Sequence, residues 1–140
     1  MSFREKSTWV MLVLIVGVYG AYFASILGLF GDAPILATVA YRPLMVLTVV
    51  VLVAASVVMH IVVALTTPTA EHGGDERDRL VERKGESIGG AVLGVATLFA
   101  IGLACLEVDH FWIANGLLAG LVLAEVVSRT SQIVSYRYGV

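Results

Sequence analysis

Two ionisable side chains, His60 and Glu125, lie inside long apolar stretches of this 140-residue chain and are its first candidates for chemistry. An ionisable group is expensive in an apolar medium, so such residues often mark an ion or proton pathway. A histidine that titrates near neutrality and a desolvated glutamate at the same depth could relay protons. The structural alternative is an ordinary ion pair between Glu125 and Arg129, four residues apart on one helix, with His60 bonded to a backbone carbonyl.

A second set of polar residues, Glu107, Asp109 and His110, combines carboxylates with an imidazole, which are ligands of divalent cations. These residues are nearly adjacent on a short turn, so their side chains converge poorly and the set is a weak metal candidate. The sequence contains no G-x-x-x-x-G-K-[ST], H-E-x-x-H or C-x-x-C motif. We therefore expect no metal site, no cofactor, no catalytic residue and no enzymatic activity.

The composition indicates that the elements carrying these residues lie in lipid. The chain is 59% hydrophobic and only 14% charged, whereas soluble domains carry roughly 25% charged residues. A domain of this length cannot bury that much apolar surface within itself. The net charge of -2 is too small to indicate a nucleic-acid partner. With a single cysteine, Cys105, the chain can form no internal disulfide.

Four apolar segments predict four membrane-spanning helices, at about residues 7–30, 43–65, 87–106 and 111–128. A spanning helix needs about 20 apolar residues, and each segment is close to that length. The connection at 107–110 is too short for anything but an antiparallel neighbour. We expect an all-α integral membrane protein with one transmembrane domain, 1–140, built as a four-helix bundle of two antiparallel hairpins.

The two predicted hairpins are joined by a charged cytoplasmic segment, 70–86, whose core reads D-E-R-D-R-L-V-E-R-K-G-E. Acidic residues at its start and the Asp75/Arg79 spacing favour a helix. With only Leu80 and Val81 apolar, this helix should be solvated. It is either a simple connector or a surface that faces a partner, and the partner-facing candidates are Asp75, Glu76, Arg77, Asp78 and Arg79.

The basic residues predict how the chain is oriented, because lysine and arginine concentrate on the cytoplasmic side. Eight of the nine fall on the side of both termini and the central segment: Arg4, Lys6, Arg77, Arg79, Arg83, Lys84, Arg129 and Arg137. Arg42 alone falls on the other side. We therefore expect both termini to be cytoplasmic, in the inner (plasma) membrane of a prokaryote.

Small residues spaced four apart predict where the helices pack, because small side chains let helix backbones approach closely in lipid. The candidates are Gly17, Gly20, Gly90, Gly94, Gly102, Gly116 and Gly120. Residues equally distant from the turn at 107–110 should lie at equal depth. Gly102 is then expected opposite Gly116, and Gly94 near Ala124. Alternatively, one small-residue face, most simply that of the first helix, joins two copies of the chain.

Two short motifs resemble those of a group of small prokaryotic membrane proteins of unknown function. These motifs are F-R-E-K-S at residues 3–7 and D-E-R-D at residues 75–78, continued by R-L-V-E-R at 79–83. The group has four predicted helices with D-E-R-D before the third, so the resemblance implies the same plan and brings no activity. The small four-helix multidrug transporters are similar in size, but they use a glutamate inside the first helix. Residues 7–31 here contain none.

These observations favour a small scaffold or accessory protein of the inner membrane. It would act through helix–helix association and its charged segment, with the lipid bilayer, a second copy or another membrane protein as partner. The alternative is a small oligomeric transporter or channel that uses Glu125 and His60.

Overall fold

The computed structural model describes residues 3–29, 41–66 and 76–138, and these residues form four α-helices. Their bounds are α1 Phe3–Ile26, α2 Tyr41–Thr66, α3 Glu76–Cys105 and α4 His110–Tyr138. Each helix is long and apolar enough to cross a membrane. The prediction of an all-helical protein with four candidate spans is therefore confirmed, and the chain is a multi-pass membrane protein.

Helices α3 and α4 extend well beyond the spans that the sequence predicts, whereas α2, Tyr41–Thr66, is close to the predicted 43–65. The charged segment from Glu76 onward and the apolar segment after it form one 30-residue helix, α3. Helix α4 does not end near residue 128 but continues to Tyr138 over 29 residues. Neither stretch contains a proline, and Glu76 and Asp78 lie in the first turn of α3, where acidic side chains favour the helix dipole. At 1.5 Å per residue each helix is about 45 Å long, whereas the hydrocarbon core of a bilayer is about 30 Å thick.

Helix α1 ends four residues earlier than predicted because of Gly28, whose φ is 73°. The amide of Leu29 donates to the carbonyl of Ala24 at 2.9 Å, and the amide of Gly28 donates to Ser25 at 3.2 Å. This pair of bonds is the usual helix ending with a left-handed residue, which glycine adopts without a steric penalty.

The connection between α3 and α4 is defined by two capping residues. Glu107 ends α3 in the left-handed conformation, with φ of 55°, and the amide of Val108 donates to the carbonyl of Leu103 at 3.1 Å. Asp109 begins α4, since its Oδ1 accepts a hydrogen bond from the amide of Phe111 at 2.8 Å. An aspartate before the first turn is a favoured N-cap.

Contacts divide the chain into two compact units. One unit holds the first turns of α1 together with α3 and α4, and the other holds the rest of α1 together with α2. One face of α1 is buried at spacings of three and four residues, comprising Met11, Ile15, Tyr19, Tyr22 and Ile26. On α2, by contrast, the described apolar side chains are mostly exposed.

Candidate functional site

Helices α3 and α4 approach each other closely at two glycines of α3, Gly85 and Gly89. A Cβ atom on Gly85 would lie 2.6 Å from Cγ of Gln132 and 2.9 Å from the carbonyl oxygen of Ser128. A Cβ atom on Gly89 would lie 2.8 Å from Cβ of Ser128 and 2.9 Å from the carbonyl oxygen of Ala124. All four distances are shorter than van der Waals contact, so only glycine allows this separation of the two helices.

Nearer the turn, a Cβ atom on Gly120 of α4 would collide with the Cβ atom of Ala96. A Cβ atom on Gly116 would lie at an ordinary distance of 3.8 Å from Cδ1 of Leu103. Facing residues are thus equally distant from the turn, as the sequence predicts for an antiparallel pair. Gly120 and Gly116 lie on the side of α4 that faces α3.

The glycines of α3 that face α4 are not the ones that the sequence predicts. Gly90, Gly94 and Gly102 are exposed, and a Cβ atom on any of them would meet nothing within 4 Å. The residue whose backbone approaches Ala124 is Gly89 rather than Gly94. A helix turns by 100° per residue, so Gly94 is rotated 140° from Gly89 around α3. Gly17 and Gly20 of α1 are likewise exposed and without close neighbours in the described part of the chain.

Sequence reasoning missed Gly85 and Gly89 because one of them lies within the charged segment. The two glycines do have the four-residue spacing of a packing motif. The signal that could have found them is on α4, where Ser128, Gln132 and Ser135 repeat at helical spacing beyond the apolar stretch. All three side chains are buried. Small polar residues that line one helix face indicate contact with another helix rather than a loose tail.

The result is a two-helix arm, which we define as residues 76–86 of α3 packed on residues 128–138 of α4. Val81 of α3 is 5% exposed and Ile133 of α4 is 6% exposed, so the arm has an apolar interior of its own. The amide nitrogen of Gln132 is buried and has no hydrogen-bond partner within the described residues. Buried side-chain donors usually have a hydrogen-bond partner, so this nitrogen is an exception.

The partner-facing candidates lie at the tip of this arm. Glu76, Arg77 and Arg79 are exposed, whereas Asp78 is half-buried on the side of α3 that faces α4. Asp75 lies outside the described residues. The exposed charges are therefore presented on a continuous helix.

Glu125 is paired within its own helix. Its Oε2 atom lies 3.5 Å from Nη2 of Arg129, and the two side chains are 47% and 29% exposed. Nε of Arg129 is buried without a hydrogen-bond partner in the described part of the chain. His60 lies on α2, in the other unit, and its side chain falls outside the described residues.

The weak metal candidates serve as local structure around the α3–α4 turn. Glu107 holds the left-handed backbone position, Asp109 caps α4, and His110 is the exposed first residue of α4. No group of three histidine, cysteine, aspartate or glutamate residues could hold a metal ion among the residues that the structure describes.

The two ends of the chain's described part meet in one unit. The guanidinium of Arg137, in the last turn of α4, lies 6.0 Å from the ring centroid of Trp9 near the start of α1. An arginine at this distance from an indole ring interacts favourably with it. The first turns of α1 and the last turn of α4 are therefore at the same end of their unit.

The geometry defines a multi-pass membrane protein in which one pair of helices packs tightly through glycines and continues past the apolar stretch as a charged arm. Comparisons with protein-family models, with curated proteins and with solved structures find no match to this chain.

Proposed function

We propose that the protein is a small accessory or scaffold protein of the inner membrane that presents its two-helix arm to another protein. The observation that carries this proposal is the continuity of α3: the charged segment and the apolar span are one helix, Glu76–Cys105. Gly85 and Gly89 bring α4 against that helix where it is charged. A simple connector between two hairpins would not require a second helix packed against it.

The packing of α4 on the charged part of α3 matters for binding, because a partner that engages a preformed helix does not have to order it. The entropy lost when a flexible segment becomes fixed is subtracted from the affinity. Exposed charges of both signs, such as Glu76, Arg77 and Arg79, add specificity more than affinity. The arm is therefore suited to selective recognition by a surface of complementary charge.

We further propose a bundle of two antiparallel hairpins with both termini and the arm in the cytoplasm. The distribution of lysine and arginine, with eight of the nine on one predicted side, supports this orientation. The proximity of Trp9 and Arg137 supports an even number of crossings between them.

The pairing of Glu125 with Arg129 on the same helix favours an accessory role over transport. A relay needs a carboxyl group that is available to a second titrating group. Here the carboxylate already lies 3.5 Å from a guanidinium nitrogen of its own helix.

The test is native mass spectrometry of the protein extracted from its own membranes in mild detergent. The wild type should carry a second polypeptide at fixed stoichiometry, and the Arg77→Glu/Arg79→Glu variant should lose it. The Arg77→Lys/Arg79→Lys variant keeps the charge and serves as the matched control, which should retain the partner. A homo-oligomer that carries only lipid would contradict the accessory role. The transport alternative would then be tested by comparing flux through the wild type and the Glu125→Gln variant in proteoliposomes.

A further inference from the structure

Two buried N–H donors lie three residues apart on α4. Nε of Arg129 and Nε2 of Gln132 have no hydrogen-bond partner within the part of the chain that the structure describes. Residues at this spacing are neighbours on a helix surface, with Cβ atoms about 5–6 Å apart. An unpaired buried donor costs about 1–3 kcal/mol. Two such donors side by side therefore favour a single acceptor group that serves both.

The position of Gln132 is fixed by α3. The residue is only 4% exposed, and its Nε2 lies 2.9 Å from the point where Gly85 would carry a Cβ atom. A side chain packed this closely has little freedom to turn its amide toward water. Gly85, Arg129 and Gln132 all belong to the unit that holds α3, α4 and the first turns of α1. The donor pair is therefore a feature of that unit alone.

The guanidinium of Arg129 has a weakly occupied edge, formed by Nε and Nη2. Nη2 lies 3.5 Å from Oε2 of Glu125, whereas charge-assisted hydrogen bonds usually measure about 2.7–2.9 Å. Nε, on the same edge, is the unpaired donor. The side chain is 29% exposed, so the guanidinium is not sealed inside the helix pair. Two parallel donors on one edge suit an anion with two adjacent oxygen atoms, which is a phosphate or a carboxylate.

The position of this donor pair along α4 favours a phosphate. Arg129 follows directly on the predicted apolar segment 111–128, which at 1.5 Å per residue is about 27 Å long. The hydrocarbon core of a bilayer is roughly 30 Å thick. We therefore expect Arg129 and Gln132 to lie in the adjoining layer of lipid headgroups, where every phospholipid carries a phosphate. Long basic side chains commonly keep their charged ends in this layer.

We propose that Arg129 and Gln132 bind the phosphate group of a phospholipid at the membrane surface. Arg129 donates from Nε and Nη2 to two phosphate oxygens, and Gln132 donates to the same group from Nε2. The carboxylate of Glu125 opposes this binding, because it lies beside Nη2 and has the same sign of charge as the phosphate. It has to turn away when the lipid binds. The inference goes beyond the accessory role and does not depend on it.

Native mass spectrometry of the purified protein, titrated with phosphatidylglycerol in detergent, tests this site. Diacylglycerol with the same acyl chains lacks the phosphate and is the control ligand, which the wild type should retain far less strongly. Arg129→Lys should weaken retention of phosphatidylglycerol about tenfold or more, because lysine keeps the charge but has no two-donor edge. Arg137→Lys makes the same change in the last turn of α4 and should retain the lipid like the wild type.

The variant Gln132→Leu should also weaken retention of phosphatidylglycerol, by about tenfold. The thermal unfolding midpoint of the lipid-free variant should not fall, because the substitution removes a buried unpaired donor. A loss of lipid in this variant is then not a loss of fold.

Equal retention by Arg129→Lys and Arg137→Lys would overturn the site, since charge alone would then attract the lipid. Diacylglycerol retained as strongly as phosphatidylglycerol would overturn it as well. Inorganic phosphate that displaces phosphatidylglycerol at equal concentration would identify a free anion as the ligand and overturn the lipid. Because the purified protein has no other polypeptide with it, each of these failures leaves the accessory proposal standing, which is tested separately by partner loss in native membranes.

Discussion

Gly89 on α3 faces Ser128 on α4 so closely that a Cβ atom on Gly89 would lie 2.8 Å from the Cβ atom of Ser128. The carbonyl oxygen of Ala124 would lie 2.9 Å from the same position. Because one of these neighbours is backbone, it cannot move aside as a flexible side chain could. The separation of α3 and α4 therefore depends on glycine at this position.

The substitution Gly89→Ala should destabilise the α3–α4 pair by about 1–3 kcal/mol, because the added methyl group overpacks a contact that involves backbone. The adjacent Gly90 provides the control, since a methyl group there meets nothing within 4 Å. Gly90→Ala should be neutral or stabilising by up to about 1 kcal/mol from its helix propensity. Thermal unfolding in detergent measures both. Equal midpoints for the two variants would show that α4 does not lie against Gly89.

A second matched pair lies on α4. Gly120→Ala places a methyl group against Ala96, whereas Gly116→Ala makes only an ordinary contact of 3.8 Å with Leu103. We expect Gly120→Ala to lower the free energy of unfolding by about 1–3 kcal/mol and Gly116→Ala to leave it nearly unchanged. Gly120→Ile should be more damaging than Gly120→Ala. A stable Gly120→Ile protein would remove Gly120 from the helix interface.

Asp109 should contribute to stability through its hydrogen bond to the amide of Phe111, at 2.8 Å. Replacing an N-cap aspartate with alanine typically costs about 1 kcal/mol. Asp109→Asn should retain most of this contribution, because an amide oxygen also caps a helix. The measurement is chemical or thermal unfolding in detergent, with His110→Ala, at an exposed neighbouring position, as the control. If Asp109→Ala unfolds like the wild type, the cap is not significant in detergent.

Glu107 occupies a left-handed backbone conformation, with φ of 55°, which costs a residue with a side chain roughly 1–2 kcal/mol relative to glycine. Glu107→Gly should therefore raise the free energy of unfolding by up to about 1 kcal/mol. Glu107→Ala should not, because alanine has the same steric conflict as glutamate. A destabilised Glu107→Gly variant would indicate that the carboxylate itself has a role at this turn.

Helices α3 and α4 show most clearly which features of the fold could be predicted from the sequence. The four apolar stretches and the short turn after Cys105 predicted the number of helices and the depth at which residues of α3 and α4 face each other. Depth follows from counting residues, since each adds a fixed rise along a helix. The side of α3 that faces α4 could not be predicted from the sequence. Gly85 and Gly89 on one side, and Gly90 and Gly94 on the other, are equally good four-residue motifs.

The ends of α3 and α4 could likewise be predicted only in part. A charged residue stops an apolar segment but not a helix, because the backbone hydrogen bonds continue as long as no residue interrupts them. The sequence therefore marked where α3 and α4 leave the apolar region, near residues 86 and 129, and placed their ends there. The structure extends α3 back to Glu76 and α4 on to Tyr138.

The sequence by itself determined that this protein is helical and has four segments long and apolar enough to cross a membrane, because apolar content and segment length are properties of the chain alone. The tertiary structure decided which glycines make contact and that the charged segment packs on the end of α4. These features depend on the rotation of each helix about its axis. That rotation is set by how the side chains of two packed helices fit together. The order of residues along a single helix does not specify it.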